Sequence, residues 1–449
     1  MSVLQQHRTL YILGAGFSRA ISDAMPVTDE LGTELQRRLS GVVAFNLHPG
    51  QSFEQWLTVQ VTPLPFLSPY ENMSRQADAA RVISEIATIL DECVAEAITL
   101  PCPPWLEQLV GVWNIERATV LTFNYDPIVE IAINFANLAS RSGQFLQYGD
   151  ETVFPAPEPP SAQYAGDEGV SYLANSMQIL KMHGSLNWYR QGTDSKFIRR
   201  REKRTFGGGT VMPLDQDFSG IASLDRYLIP PVTSKEGYYS SAVVGSIWRQ
   251  AGDAIAEATT LNILGYSLPA EDRVVAELIS RLPSQAKTTV ADRFPGQPKN
   301  PGELLGRLNT LGIIAGEVHT GDGAIQDFVQ ASIATRAAAL EDLLASFARA
   351  PKEREVFVEL PSRNETGVQP GPLLVTISDS GSLGVRATNA LPAADRTSDR
   401  PATLEDLIHL AHGGDIVLHA SNKKVHVIDA EVIDLHGASG LHLFSVPLG

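Results

Sequence analysis

The chain has 449 residues, 43% of them hydrophobic and 19% charged, which is enough for two or three globular cores and unlike a disordered or fibrous composition. A formal charge of −16 argues against a protein that wraps a nucleic-acid backbone or lies on anionic lipid, since both need a basic face. The two cysteines, Cys93 and Cys102, are too few for a disulfide framework or a four-cysteine zinc site, and with no leader-like start and no run of membrane-spanning length the expectation is a cytoplasmic protein.

The first predicted element is an apolar strand from Thr9 that breaks at Gly14-Ala15-Gly16-Phe17-Ser18 and enters a helix. Such a turn aims backbone N–H groups at one point, which suits a pyrophosphate, but the third glycine of the usual dinucleotide fingerprint is replaced by Arg19. Thr28 is a candidate cap for a helix carrying Leu31, Leu35 and Leu39 on one face. Apolar residues at three- and four-residue spacing then predict an amphipathic helix from Arg75 to Leu100. The second strand, Ala118 to Phe123, ends on Asn124-Tyr125-Asp126-Pro127 at the start of another helix. After a proline-rich loop at Phe154 to Pro160, a strand from Gln178 to Met182 ends on His183-Gly184-Ser185-Leu186-Asn187-Trp188.

The basic cluster Arg199 to Arg204 is expected to be a solvated loop, and Lys235, after Pro230-Pro231 at the end of the strand Arg226 to Ile229, either approaches the pocket or, the commoner case, is a surface lysine. A helix around Trp248 leads to the strand Leu261 to Leu264, which turns at Gly265-Tyr266-Ser267-Leu268-Pro269 before a helix opened by Asp272. A strand from Thr288 to Ala291, a helix from Leu304 to Leu311, a strand at Ile313-Ile314-Ala315 and a long helix from about Ala324 to Ala348 complete the alternation. The expected fold is α/β, a doubly wound, mainly parallel Rossmann-like sheet with a helical insertion at about residues 29–115. Beyond Pro351, short strands at Val356 to Leu360, Leu373 to Ile377, Ile416 to His419, Val425 to Val427 and His442 to Val446, with a helix at Thr403 to His412, predict a small α+β or mostly β C-terminal domain over residues 351–449. Six histidines fall there, His409 and His412 three apart on the predicted helix, but without cysteine partners they are expected to bind no metal.

In a parallel sheet the tips carrying Asn124, Asp126, His183 and Ser267 share one edge with the Gly14 to Ser18 turn. Those four motifs, Gly14 to Ser18, Thr122 to Asp126, Lys181 to Ser185 and Gly265 to Pro269, in that order, resemble the sirtuin-like NAD-hydrolysing domain of bacterial antiphage defence proteins over about residues 8 to 335. The resemblance implies that Gly14, Ala15, Gly16, Phe17 and Ser18 meet the NAD diphosphate and that Gly265 and Ser267 meet its adenosine half. It implies that Asn124 and His183 are the catalytic pair, with Asp126 holding the nicotinamide ribose or orienting Asn124. The zinc cysteines of deacetylating sirtuins are absent, which weakens the case for an acyl-lysine peptide, and Phe123 replaces a polar residue before the Asn.

The expected reaction is hydrolysis of NAD to nicotinamide and ADP-ribose, with NAD as substrate and no metal. Asn124 would place water and ribose, and neutral His183 would act as base. The family implies a cell-suicide effector, oligomeric, with a nucleic-acid-handling or motor ATPase partner encoded nearby. An NAD or ADP-ribose-derivative binding module without turnover, and an ADP-ribosyl transferase, are the alternatives.

Overall fold

The computed structural model describes residues 8–115, 118–135, 151–153, 177–191, 198–200, 202, 204–208, 224–232, 235, 239, 241–332 and 334, together with eight strands between 354 and 447. Its centre is β1 (Thr9–Leu13), flanked by β2 (Thr119–Thr122) and, across 251 positions of sequence, by β8 (Thr260–Leu264), both parallel to it. With β4 (Gln178–Lys181), β9 (Lys287–Asp292) and β10 (Glu317–Thr320) these make a wholly parallel six-stranded sheet of order β10-β9-β8-β1-β2-β4. Strand period alternates side chains between faces, so Tyr11 and Leu13 enter one core while Leu10 and Ile12 enter another. That double burial is why the run reads as continuously apolar.

The first core is filled by the helical insertion between β1 and β2. After α1 (Ala15–Ile21) come α2 (Thr28–Arg38), α3 (Phe53–Val61), α4 (Pro69–Ala97) and α5 (Pro104–Ile115). The apolar stripe of α4 is buried as its spacing predicts, with Ala79, Val82, Ile86, Leu90 and Val94 all inside. Its start lies six residues earlier than the periodicity suggests. Ser68 accepts the Glu71 N–H while Glu71 accepts the Ser68 N–H, and Pro69 takes the first turn, a capping box that carries the helix out beyond its apolar face. Thr28 is not a cap: it is the first helical residue, Val27 holds the cap position, and the Glu30 carboxylate accepts the Val27 N–H. Arg19, the residue in place of the third glycine, donates to the carbonyls of Asp23 and Met25 and to Glu30, so it pins the loop that feeds α2.

The second core lies on the other face against α7 (Ala242–Glu257), α8 (Arg273–Ile279) and α9 (Leu304–Thr310). Among the described residues this part of the chain also has α6 (Ile128–Phe135) behind β2, a helix α10 over 324–332, and a four-stranded antiparallel sheet of order β3-β6-β5-β7. Its members are β3 (Glu151–Val153), β5 (Gly184–Gln191), β6 (Ile198–Arg200) and β7 (Leu224–Leu228).

Several expectations are corrected here. The polar tip expected after His183 continues as a strand: Gly184–Gln191 forms β5, which pairs with β7. The predicted strand Ile313-Ile314-Ala315 is coil: Ile313 plugs the core, Ile314 is exposed, and the edge strand forms at Glu317–Thr320, where polar residues suit an open edge. The end of the basic cluster is built into the fold, as Arg204 bridges Glu202 and Asp91 of α4, and Arg226 reaches the other oxygen of Asp91. The proline-rich loop, the helix expected at Thr403 to His412, and residues 335–348 of the expected long helix lie outside the described residues.

The C-terminal strands form two antiparallel sheets, as a mostly β segment should. One has the order β14-β13-β11-β17-β18, from β11 (Arg354–Glu359), β13 (Pro372–Ile377), β14 (Leu383–Ala387), β17 (Asp429–Asp434) and β18 (Leu441–Pro447). The other has the order β12-β16-β15, from β12 (Ser362–Arg363), β15 (Ile416–Ala420) and β16 (Lys423–Val427). Among the described residues no helix is long and apolar enough to cross a membrane.

Candidate active site

Strand order reverses between β1 and β8, the point at which open α/β sheets leave a crevice at their carboxyl edge. The two strand tips there are pressed together. A Cβ on Gly14 would lie 2.6 Å from the Gly265 carbonyl oxygen and from Tyr266 Cα. Gly265 has φ +60, and a Cβ on it would lie 2.2 Å from the Phe17 nitrogen, so no other residue fits. The contact is hydrogen-bonded as well, from Gly14 N–H to the Leu264 carbonyl at 3.3 Å and from Gly16 N–H to the Gly265 carbonyl at 2.9 Å. Phe17 N–H donates to the Gly14 carbonyl. The glycines therefore serve the junction of two strands, and three of the N–H groups expected to converge on a ligand are engaged by the protein itself. Ala15 and Gly16 are half-buried at the surface of the turn, whereas the Phe17 ring is fully buried against Trp105 and Trp113.

Asn124 stands beside this junction. Its Nδ2 donates to the Gly14 carbonyl at 2.8 Å and to Ser18 Oγ at 2.9 Å, and Ser18 Oγ donates in turn to Asp126 Oδ2 at 2.7 Å. The chain of donors fixes the amide: both Nδ2 hydrogens point inward, so Oδ1 is the atom offered to a ligand, as an acceptor. Asp126 is buried and its other oxygen accepts the Ile128 N–H, capping α6. It thus acts on Asn124 through Ser18. Beneath this tip Lys181 donates to the Asp126 carbonyl and lies 3.4 Å from Glu130, both side chains at 3% exposure or less.

His183 closes the far side of the site and is 6% exposed. Phe123 meets it edge-on at 5.2 Å between ring centroids and stacks on Tyr266 at 4.7 Å, so the aromatic residue that stands before Asn124 supplies an apolar wall. Nε2 of His183 is 3.3 Å from Lys235 Nζ, and Lys235 Nζ donates to Asp272 Oδ1 at 2.8 Å. An ammonium only donates, so Nε2 is unprotonated and the ring proton is on Nδ1, with the Phe123 carbonyl as the ring's backbone partner. Burial and the adjacent Lys235 cation push the His183 pKa down to about 3, against the pull of Asp272. Tyr266 OH donates to Asp272 Oδ2 at 2.9 Å. Burial pulls the Asp272 carboxyl upward, but the Lys235 charge and the hydrogen bonds from Lys235 and Tyr266 outweigh it, and the group stays below its ordinary range. Burial and the Asp272 carboxylate push Glu54, from α3, up to about 6.

The structure gathers Gly14, Ala15, Gly16, Ser18, Asn124, Asp126, His183 and Gly265 at one edge of the sheet. Ser267 is exposed on the turn after β8, where Arg307 holds its carbonyl and the following Leu268 takes φ +51. Sequence reading missed two participants and ranked a third, Lys235, as more often superficial. Lys235 is buried, not superficial. Asp272 begins α8 without a side-chain cap bond because its carboxylate faces Lys235 and Tyr266. Glu54 lies in a helix that was not foreseen. The one local signal was the Pro230-Pro231 stop, which turns the chain after β7 toward the carboxyl edge. Among the described residues no group of three His, Cys, Asp or Glu could hold a metal ion.

No family model matches the sequence, and no curated protein matches it. Solved structures similar to the chain are sirtuins. A structure of Sir2Tm bound to a propionylated peptide aligns with TM-score 0.33 and 12% identity, over 73% of this chain and 92% of that one. A structure described as the structural basis of sirtuin substrate affinity aligns with TM-score 0.30 and 15% identity over 72% and 91%. A SIR2 complex with the inhibitor EX-527, 2′-O-acetyl-ADP-ribose and deacetylated p53 peptide aligns with TM-score 0.31 and 13% identity over 73% and 93%.

Proposed function

We propose that this chain cleaves NAD to nicotinamide and ADP-ribose. The observation that carries the reading is the immobilised amide of Asn124, which presents Oδ1 at a strand-order reversal with His183 across the same edge. Breaking the nicotinamide–ribose bond leaves an oxocarbenium-like centre, and water must reach it on the open face. Oδ1 accepts a hydrogen bond from that water or from a ribose hydroxyl and so holds it in line without introducing a charge. His183 Nε2 accepts the proton that the water or hydroxyl gives up. The diphosphate would lie over Ala15 and Gly16, and the adenosine half along Gly265 and Ser267. The carboxylates of Asp272 and Glu54 near the edge favour a positive centre over a neutral one.

The resemblance of the four motifs extends the reading to an antiphage effector that depletes NAD, restrained until triggered. Residues 351–449 are the segment that would carry the restraint or the assembly.

A second reading, an NAD or ADP-ribose-derivative binding module without turnover, is favoured by one observation: Nε2 is already occupied by Lys235. Incubation of purified protein with NAD separates the readings. The hydrolase reading expects free ADP-ribose and nicotinamide, with turnover lowered at least about 100-fold in Asn124→Ala and in His183→Gln. NAD that binds and survives removes it, and ADP-ribose found on protein makes the chain a transferase.

A further inference from the structure

The hydrolysis described above gives Lys235 no part, yet the chain brings this ammonium almost wholly out of water, at 7% exposure. A buried cation must be compensated, and Asp272 does so at 2.8 Å. The second partner is of another kind. His183 is neutral and compensates no charge, and the cation beside it opposes protonation of its ring. A lysine present only to balance Asp272 would have no need of the histidine. Asp272 is itself anchored from its other oxygen by Tyr266, so the carboxylate aims Lys235 at Nε2. The same nitrogen is the acceptor that the proposed base requires.

We propose that Lys235 is a displaceable cap on His183: its ammonium fixes the Nδ1-protonated tautomer in the free protein, and an anionic group of the bound substrate draws it away and uncovers Nε2. The inference rests on the reading of His183 as the base. No covalent bond changes in the step, and Lys235 stays protonated. It exchanges a neutral acceptor for a charged one, the stronger of the two. With the cation withdrawn, the proton affinity of the ring rises toward that of a useful base. The groups facing the ring are Lys235 from the segment after β7, Asp272 at the start of α8, and Phe123 and Tyr125 at the tip of β2, while Tyr266 bears on it through Asp272 and Phe123. Glu54 of α3 acts on Asp272 and Lys235. Lys235 is a positioning residue in this scheme.

The test is a nuclear magnetic resonance titration of the full chain carrying 15N- and 13C-labelled histidine, with the His183 signal identified by its loss in His183→Gln. In the free wild-type protein the proposal expects the proton on Nδ1 and no titration between about pH 5 and 8. Lys235→Met is expected to move the midpoint upward by about one pH unit or more, and Lys235→Arg to preserve the wild-type tautomer. Saturating pyrophosphate or NAD, with binding confirmed by calorimetry, is expected to shift the wild-type Nε2 resonance and leave that of Lys235→Met unmoved. A proton on Nε2 in the free wild-type protein overturns the proposal. So does an identical titration in Lys235→Met, or a His183 signal indifferent to both bound anions. Should Lys235→Met not fold, the tautomer and the anion response of the wild-type protein still decide. None of these signals needs turnover. Capping without NAD cleavage leaves this inference and removes the hydrolase reading, while cleavage with the wrong tautomer removes the inference alone.

Discussion

Ser18 joins two groups with different tasks, accepting from the Asn124 amide and donating to the buried Asp126 carboxylate. Ser18→Ala leaves a buried carboxylate oxygen and an amide hydrogen unpaired. The expected cost is about 1–3 kcal/mol in urea unfolding, and the freed amide should lower kcat about tenfold or more with little change in KM. A raised KM with kcat unchanged would assign Ser18 to binding instead. At this scale the sequence was informative about whatever lay on a strand tip. Asn124, Asp126 and His183 each end a buried strand, so their edge followed from the parallel sheet alone. The burial of Lys235 was hard to read because its partners are 52 and 37 residues away and the Pro230-Pro231 stop is the one mark in its neighbourhood. The bonds already holding Gly14 and Gly16 were hidden for the same reason: their partners, Leu264 and Gly265, are at the end of β8.

The strand tips are held by devices with measurable strength. Gly265→Ala must fit a Cβ 2.2 Å from the Phe17 nitrogen at φ +60, which should cost at least about 2 kcal/mol and pull β8 from β1. A melting temperature within a degree of wild type would show that the junction yields. Lys181→Met should cost about 3–5 kcal/mol, because it strands Glu130 with no cation. Elements with periodic faces were readable from sequence: β1, β2, β4, β8, β9 and the stripe of α4. Elements set by other chain segments were not. Helices α3 and α5 lack a long enough stripe, β5 needed β7 to be recognised, and β10 was displaced from the more apolar Ile313-Ile314-Ala315 because burial there serves the core under the sheet.

For the whole molecule, two buried groups give opposite responses to acid. His183 is held far below its unfolded value of 6.5, so the unfolded chain takes the proton first and stability is lost as pH falls from about 6.5 toward 3. Glu54 is held above 4.5, so its contribution is present at low pH and lost as pH rises from about 4.5 to 6. Each changes stability by at most about 1.4 kcal/mol per pH unit, so they offset between about pH 4.5 and 6; below that the histidine acts, joined by Asp272 once pH falls beneath the ordinary carboxylate range. Urea unfolding should be nearly level across that upper range and fall steeply beneath it, and His183→Gln should flatten the lower limb; an unchanged limb would place the acid sensitivity elsewhere. A second global test concerns residues 351–449. If they restrain the site, the chain lacking them should cleave NAD without any trigger, and silence would assign them to assembly.

The junction of β1 with β8 also sets a time. Its two strands are the ends of a loop of 251 positions, and β9, against which Gly265 N–H is bonded, comes later still. At a synthesis rate of roughly 5–20 residues per second, β1 waits on the order of tens of seconds for its partner, and a topology so non-local folds slowly afterwards. A nascent or prematurely terminated chain carries Gly14, Asn124 and His183 on β1, β2 and β4 but lacks Gly265, Tyr266 and Asp272, which close the other side of the site. If the chain is the NAD hydrolase proposed above, its site is incomplete on the ribosome, by virtue of where along the chain the central neighbour of β1 lies.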